Sequence, residues 1–501
     1  MKHRYTSLLL ALLLTLPLAG CGGEPVSDDT VMTTDGASDE VSSESDESVP
    51  GSKLAAPDLP KTDMEGKTFT ILAEDWWTYA PLAITDIAPS EMNGEVLNDA
   101  SFRRRSAISE KYNCVINDEH IEDDPANGTA KLLKSVTAGE HVYDIAVMRG
   151  SEYNKLLTSG SLSDLTLMPH FEPDSGYYDK ASYDALSIAG SHYGVVSNIT
   201  MNHNLLIFSA YFNKVMLDDF GIDNMYDTVR SGKWTIDRMY EIGKTVAADT
   251  DSDGLYTEKD RYGFTYIVDV SEGFLNASGV NIAETLSDGS IVKTYNTETA
   301  LTRMQHIFDI LSDTATSFNV HKRSPDPNIT NKLETGMFTD GNTLISLAGI
   351  YYAPQFRDMK DDFGIIPFPK YDETQTDYIS PVFSNPLPIT VIPRTNADLE
   401  NTGIILAEMS YRGYTELLPA LYDTILTGKC ARDDDSVEML DMIFSKTEYD
   451  IGMLFDFGGV RTKVRTIYQE LDGNFASAFA SLDTKVDKNI ADLIEAVEEN
   501  K

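Results

Sequence analysis

Strand-like and helix-like stretches alternate between Thr68 and Met148, and this alternation restricts the fold more than any other feature of the chain. Thr68-Phe69-Thr70-Ile71-Leu72 reads as a strand, Val96 to Lys111 as a helix, and Cys114-Val115-Ile116 as a second strand. A helix is expected near Thr129 to Thr137, followed by the strand Tyr143-Asp144-Ile145-Ala146-Val147-Met148. Strands separated by helices need right-handed crossovers, which produce a largely parallel sheet covered by helices, so the expected class is α/β. In such sheets ligands bind beyond the carboxyl ends of the strands. That rule singles out Glu74-Asp75-Trp76-Trp77 after the first strand and Arg149-Gly150-Ser151-Glu152-Tyr153 after the third. The chain has only three tryptophans, so two in succession at a strand end are unusual. Side chains alternate along an extended segment, so one of Trp76 and Trp77 is expected to line a cleft while the other packs inside.

The amino terminus carries a different kind of signal. Lys2 and Arg4 precede a leucine-rich run from Leu8 to Leu18, which ends in Leu18-Ala19-Gly20-Cys21. The apolar run is shorter than the ~20 residues a helix needs to cross a bilayer. A basic start, a short apolar segment and small residues before a cut make residues 1–20 a secretory signal peptide. Leu-Ala-Gly-Cys resembles the bacterial lipobox, whose cysteine receives a diacylglyceryl group, so the mature protein is expected to begin at a lipidated Cys21. Two acyl chains suffice for stable anchoring. From Glu24 to Pro50 there are nine acidic residues and no basic ones. Such a stretch buries too little apolar surface to offset the entropy of ordering, so residues 21–65 are expected to be a disordered acidic linker. The net charge of −40 argues against nucleic acid as a partner and against anionic lipid surfaces. The lipid anchor is then the sole membrane element, and the expected location is extracytoplasmic at the cell membrane. Beyond Cys21 only Cys114 and Cys430 remain, either paired or as two small buried thiols. The residues after the linker exceed what one core supports, which predicts two lobes.

Four stretches, taken in order, resemble the extracellular solute-binding proteins of ABC importers, in the family 1 cluster of maltose- and oligosaccharide-type binders. The first is the lipobox. The second is Tyr143 to Met148 followed by Leu156 to Leu165, which contains a G-x-L-x-x-L segment from Gly160. The third comprises Tyr211-Phe212-Asn213-Lys214, Gly232-Lys233-Trp234-Thr235-Ile236-Asp237 and Asp249-Thr250-Asp251-Ser252-Asp253-Gly254. The fourth comprises Ser346 to Tyr352 and Phe363-Gly364-Ile365-Ile366-Pro367-Phe368-Pro369. With the segments between them they cover most of residues 66–460. The resemblance implies a two-lobed periplasmic-binding-protein-like fold with several hinge crossings and a ligand cleft between the lobes. Lobe 1 would take 66–207 and return at 366–410; lobe 2 would take 208–365 and the remaining 411–501. It also implies capture of a small solute by lobe closure and delivery to ABC permease subunits, with an oligosaccharide ahead of peptide or polyol. Where maltose-type binders commonly place a tryptophan, this chain has Tyr351.

A sugar ring presents C–H faces to aromatic rings and hydroxyls to a few polar groups in a preformed pocket. Trp76, Trp77, Tyr153, Tyr351 and Tyr352 are the candidate faces, and Asp75, Arg149 and Glu152 the candidate hydrogen-bonding groups. Phe455-Asp456-Phe457-Gly458-Gly459 is a further candidate edge of the cleft, while Trp234 is assigned to a helix start and core. Asp249, Asp251, Asp253, Gly254 and Asp260 fall at positions 1, 3, 5, 6 and 12 of a calcium-type loop, with Leu255 at the carbonyl position. The alternatives are a structural calcium at this helix-to-strand junction and a solvated acidic turn. No G-x-S-x-G, H-E-x-x-H or P-loop occurs. A binding protein rather than an enzyme is therefore expected; the competing readings are an extracellular carbohydrate-active enzyme with paired carboxylates, or a sensing or adhesion lipoprotein.

Overall fold

The structure, a computed structural model, describes residues 54–74, 87–121, 125–323, 327–357, 359–426 and 434–501. Cys21, Asp75, Trp76, Trp77 and Cys430 lie outside the described residues.

The first sheet is built from β1 (Lys67–Glu74), β2 (Cys114–Ile121) and β3 (Ile145–Arg149). The connections carry helices α1 (Val96–Tyr112) and α2 (Pro125–Thr137), and α3 (Gly150–Thr158) follows β3 directly. β1 is central and parallel to both neighbours, pairing Lys67 with Cys114 through Glu74 with Ile121 on one side and Ile71 with Ile145 on the other. α1 stops at Asn113, whose left-handed backbone (φ 48°) is the kind of helix end that asparagine tolerates.

The second sheet contains β4 (Phe208–Asn213), β5 (Tyr262–Tyr266), β6 (Ser317–Asn319), β7 (Thr343–Gly349) and β8 (Phe363–Pro367), in the order β6-β5-β7-β4-β8. Its helices include α4 (Ile236–Val246), α5 (Val270–Ala277) and α6 (Pro327–Thr339). Every residue of β4, β5, β7 and β8 is buried, as expected where helices cover both faces. α4 lies so close to β5 that a Cβ on Gly263 would sit 2.4 Å from the Cα of Gly243, so this contact requires the glycine pair. The chain then supplies β9 (Pro388–Val391) to the first sheet, giving the order β9-β3-β1-β2. It ends with α7 (Leu399–Arg412), α8 (Ile451–Phe455), α9 (Val460–Glu470) and α10 (Asp483–Glu499), among other helices. Both sheets belong to one compact unit.

Each sheet has one reversed strand, and each is the strand by which the chain arrives from the other sheet. β4 begins at Phe208 opposite Gly349, the last residue of β7. β9 begins at Pro388 opposite Arg149, the last residue of β3. The crossing segments before these two strands are joined by a bridge between Ile207 and Val382. The carboxyl ends of β1, β3, β5 and β7 therefore all lie where the chain crosses between the sheets.

Three boundaries differ from those read in the sequence. Residues 54–65 are not loose linker: Leu54 and Leu59 pack on the first lobe, Met64 is buried, and the Met64 amide donates to the Tyr112 carbonyl. Apolar side chains at this spacing give the stretch a face to bury against the first lobe. Ile366 and Pro367 pair with Ala210 and Ser209 in the second sheet, so the return to the first begins only after β8. The segment after 410 does not go to one lobe alone. The π-helical turn Gly413–Leu417 and the helix Leu418–Leu426 pack on α1, α10 packs on α3, and α9 packs on α5. Cys114 is a buried free thiol, and burial pushes it up to about 11.

Candidate functional site

The first-sheet edge is organised around Glu74, which opens the stretch singled out after the first strand but is not among the candidate hydrogen-bonding groups. Its side chain turns inward at the end of β1. Oε2 accepts a hydrogen bond from the Arg149 amide at 2.7 Å, and Oε1 accepts one from the Thr129 hydroxyl at 3.2 Å. Burial pushes this carboxyl up to about 7, against the pull of the Arg149 amide and with a further push from Glu152. Gly128 leaves the space Oε1 fills, because a Cβ there would lie 2.5 Å from it. Arg149 also reaches the crossing segment, where Nη2 donates to Asn385 Oδ1 at 2.5 Å. The Gly150 and Ser151 amides donate to the Leu387 and Asn385 carbonyls, so the start of α3 is fastened to the chain as it returns. Glu152 sits half-buried in the first turn of α3.

Tyr153 corrects an expectation. Its ring is 0% exposed and packs beside Gly194, where a Cβ would lie 2.8 Å from the hydroxyl. It is interior because successive helical residues are 100° apart, and its turn of α3 faces the sheet. Its ring centroid lies 5.9 Å from that of Phe455, so the Phe455–Gly459 segment does reach the first lobe.

At the second edge β7 ends at Gly349, and the tight turn Ile350–Gln355 carries Tyr351 and Tyr352. Their ring centroids are 4.6 Å apart, and Tyr352 stacks on Phe356 at 5.9 Å. Both rings lie at the expected edge, but both are buried rather than open to solvent as platforms. The Tyr352 hydroxyl donates to Glu334 Oε2 of α6 at 2.6 Å. After β5 the chain places Asp269 and Glu272 against Arg461 and Arg465 of α9, with Arg461 Nε 2.9 Å and Arg465 Nη1 3.3 Å from Glu272 Oε1. Arg465 also pairs with Asp269. These four residues escaped the sequence reading because about 190 positions separate the partners and no local motif marks them.

The acidic loop follows α4, whose first turn is capped by Thr235 as its sequence predicts. The carboxylates of Asp249, Asp251 and Asp253 come within 4.8 Å of one another. Asp260 is not part of this trio. Its carboxylate instead accepts hydrogen bonds from the amides and hydroxyls of both Thr250 and Thr257, which hold it below the usual carboxylate range. Leu255 is exposed, and its amide donates to Asp253. Spacing alone thus gathers the nearby aspartates, while the twelfth position is consumed in closing the loop.

No helix among the described residues is long and apolar enough to cross a membrane. No protein-family model matches the chain, and neither does any curated protein by sequence. Solved structures do match in fold. UspC of Mycobacterium tuberculosis aligns with a TM-score of 0.55 at 13% identity, over 83% of this chain and 99% of that one. The galacto-N-biose/lacto-N-biose I-binding protein of a Bifidobacterium longum ABC transporter, in complex with lacto-N-biose, gives 0.54 at 15% identity over 86% and 98%. The ABC substrate-binding protein Lmo0181 of Listeria monocytogenes, in complex with cycloalternan, gives 0.54 at 13% identity over 85% and 99%. With two α/β sheets that each carry one reversed strand where the chain crosses between them, the chain has the two-lobed fold of the ABC-transporter solute-binding proteins.

Proposed function

We propose that this protein captures a carbohydrate outside the membrane and delivers it to the permease subunits of an ABC transporter, tethered by a diacylglyceryl group on Cys21. The observation that carries this reading is the register at the crossing segments. Arg149 at the end of β3 and Gly349 at the end of β7 lie opposite the first residues of the strands that link the two lobes. A solute held there touches both lobes, and closure is favoured because only the closed form makes both sets of contacts. The solved proteins of the same fold that carry lacto-N-biose and cycloalternan point to a sugar as the solute.

Thermal melting with a panel of oligosaccharides tests it. A cognate sugar at about 100 times its dissociation constant stabilises the binding-competent state by ~2.7 kcal/mol, read as a rise in melting temperature without release of hydrolysis product. No shift with any sugar, or turnover of one, overturns the reading. Chelator in the same assay tests the Asp249, Asp251 and Asp253 trio as a calcium site. Metal bound there predicts a lower melting temperature with chelator, and loss of that sensitivity in Asp251→Ala. Identical curves assign the trio to a solvated turn. For the anchor, Cys21→Ser should move the protein from the detergent phase to the aqueous phase on phase separation, because the acyl chains need the thiol. Unchanged partition would refute lipidation.

A further inference from the structure

Buried carboxyl groups in this protein are well supplied with partners. Asp450 accepts hydrogen bonds from several backbone amides, Glu408 meets Lys111 and Arg412, Glu272 meets Arg461, and Glu74 uses both oxygens. Glu334 departs from this pattern. It is 1% exposed, and Oε2 accepts from Tyr352. Oε1 is the single carboxylate oxygen among the buried side-chain atoms of the described residues that lacks a hydrogen-bond partner. No cation pairs with Glu334 among the described residues, and Tyr351 and Tyr352 are the titratable groups that face it. An unsatisfied buried polar atom is costly and calls for an explanation other than stability.

Its position supplies one. α6 runs back along the second sheet, with Phe338 packed against Tyr211 and Phe363, while Glu334, one turn earlier, meets the turn that follows β7. That turn leaves the carboxyl end of β7, at the edge where the chain crosses between lobes. We propose that Glu334 is the second lobe's polar contact for a hydroxyl of the bound solute, an uncharged sugar, with Tyr352 holding the carboxyl in place. This rests on the carbohydrate reading above and adds to it the residue that sets specificity. A neutral carboxyl both donates and accepts, which matches a hydroxyl, and burial pushes Glu334 up to about 8, so it is neutral at pH 7. Such a site discriminates against a solute lacking the hydroxyl, because the buried oxygen is then left unpaired. The turn Ile350–Gln355 covers Glu334 and must shift for a solute to reach Oε1.

The test uses Glu334→Leu and Glu334→Gln in the full chain, with a sugar that the parent binds. Glu334→Leu removes an unpaired buried oxygen but leaves the Tyr352 hydroxyl without its acceptor, so the readout is affinity: it should bind the sugar about tenfold or more weakly. Glu334→Gln keeps an acceptor for Tyr352 and a donor for the solute, and should bind within about threefold of the parent. Parent affinity should fall as pH rises through about 8, where Glu334 ionises, while Glu334→Gln stays flat. A Glu334→Leu protein that binds as tightly as the parent, or that melts lower with affinity unchanged, overturns this assignment alone. If Glu334→Leu does not fold, the pH arm decides, and the same alkaline loss in Glu334→Gln overturns it. A parent that binds no sugar overturns the carbohydrate reading and this one with it.

Discussion

Replacing Asp450 with alanine is expected to destabilise the protein by ~3–5 kcal/mol, the cost typical of stripping one partner from a buried charged network. Asp450 is buried at the N-cap of α8, where Oδ1 accepts from the Gly452 and Met453 amides at 2.8 and 3.2 Å. Its carboxylate also accepts from the Ile282 amide at 2.7 Å, the Ala283 amide at 3.3 Å and the Asn276 side chain at 3.3 Å. Alanine would leave these donors buried without an acceptor and would free α8, which packs on α3, from the chain at 282–283. Asp450→Asn should recover only part of the loss, because its amide nitrogen would face donors. The pH dependence has a definite sign. Burial pushes this carboxyl up to about 6 from an ordinary 3.8, so between those values the native state holds a proton that the unfolded chain releases. Its titration contribution is complete below about pH 4 and is lost as pH rises through 6. The melting difference between parent and Asp450→Ala should therefore be larger at pH 4 than at pH 7. Equal melting temperatures at both would show that the network contributes nothing.

Trp234→Ala is expected to cost a further ~3–5 kcal/mol in its own right, the range for deleting a large buried aromatic. The indole is 0% exposed and its Nε1 donates to the Pro367 carbonyl at 2.8 Å, joining the start of α4 to the end of β8. The backbone reinforces the junction, since the Ile236 amide donates to the Lys370 carbonyl and the Trp234 amide to the Tyr378 hydroxyl. Trp234→Phe should lose less, because it keeps most of the apolar volume and forfeits one hydrogen bond. Denaturant unfolding measures both. The folded fraction of either variant should still bind solute, as the side chain lies inside lobe 2 rather than at the crossing. A midpoint unchanged from the parent would remove the indole from the core.

Local physics made much of the fold legible in the residues themselves. The alternation from Thr68 to Met148 anticipates β1, α1, β2, α2 and β3, because strand and helix periods are written in neighbouring side chains. The Trp234-Thr235 helix start is equally local, with Thr235 accepting from the Arg238 amide at 3.1 Å. The trio of aspartates at 249, 251 and 253 assembles for the same reason. Local pattern misleads where a side chain's surroundings come from elsewhere. Asp260 fits the twelfth position of a metal loop but is claimed by Thr250 and Thr257. Tyr153, Tyr351 and Tyr352 stand at the right strand ends, yet burial on the far side decides whether a ring faces ligand or core.

The sequence alone determined the order of elements from Thr68 to Met148 and the strand ends at which a ligand site belongs, since these follow from periodicity and connection lengths over a few tens of residues, while the two-lobed class rested on chain length and on the family resemblance. Only the tertiary structure decided that Glu74 is gripped by the Arg149 amide, that Arg465 answers Asp269, that Asp450 holds the amides at 282 and 283, and that Glu334 keeps one oxygen unpaired beneath Tyr352. Most of these partners are separated by 75 to 196 positions. Their meeting depends on repeated chain crossings between the sheets, set by the packing of whole elements, and no window of sequence contains that information.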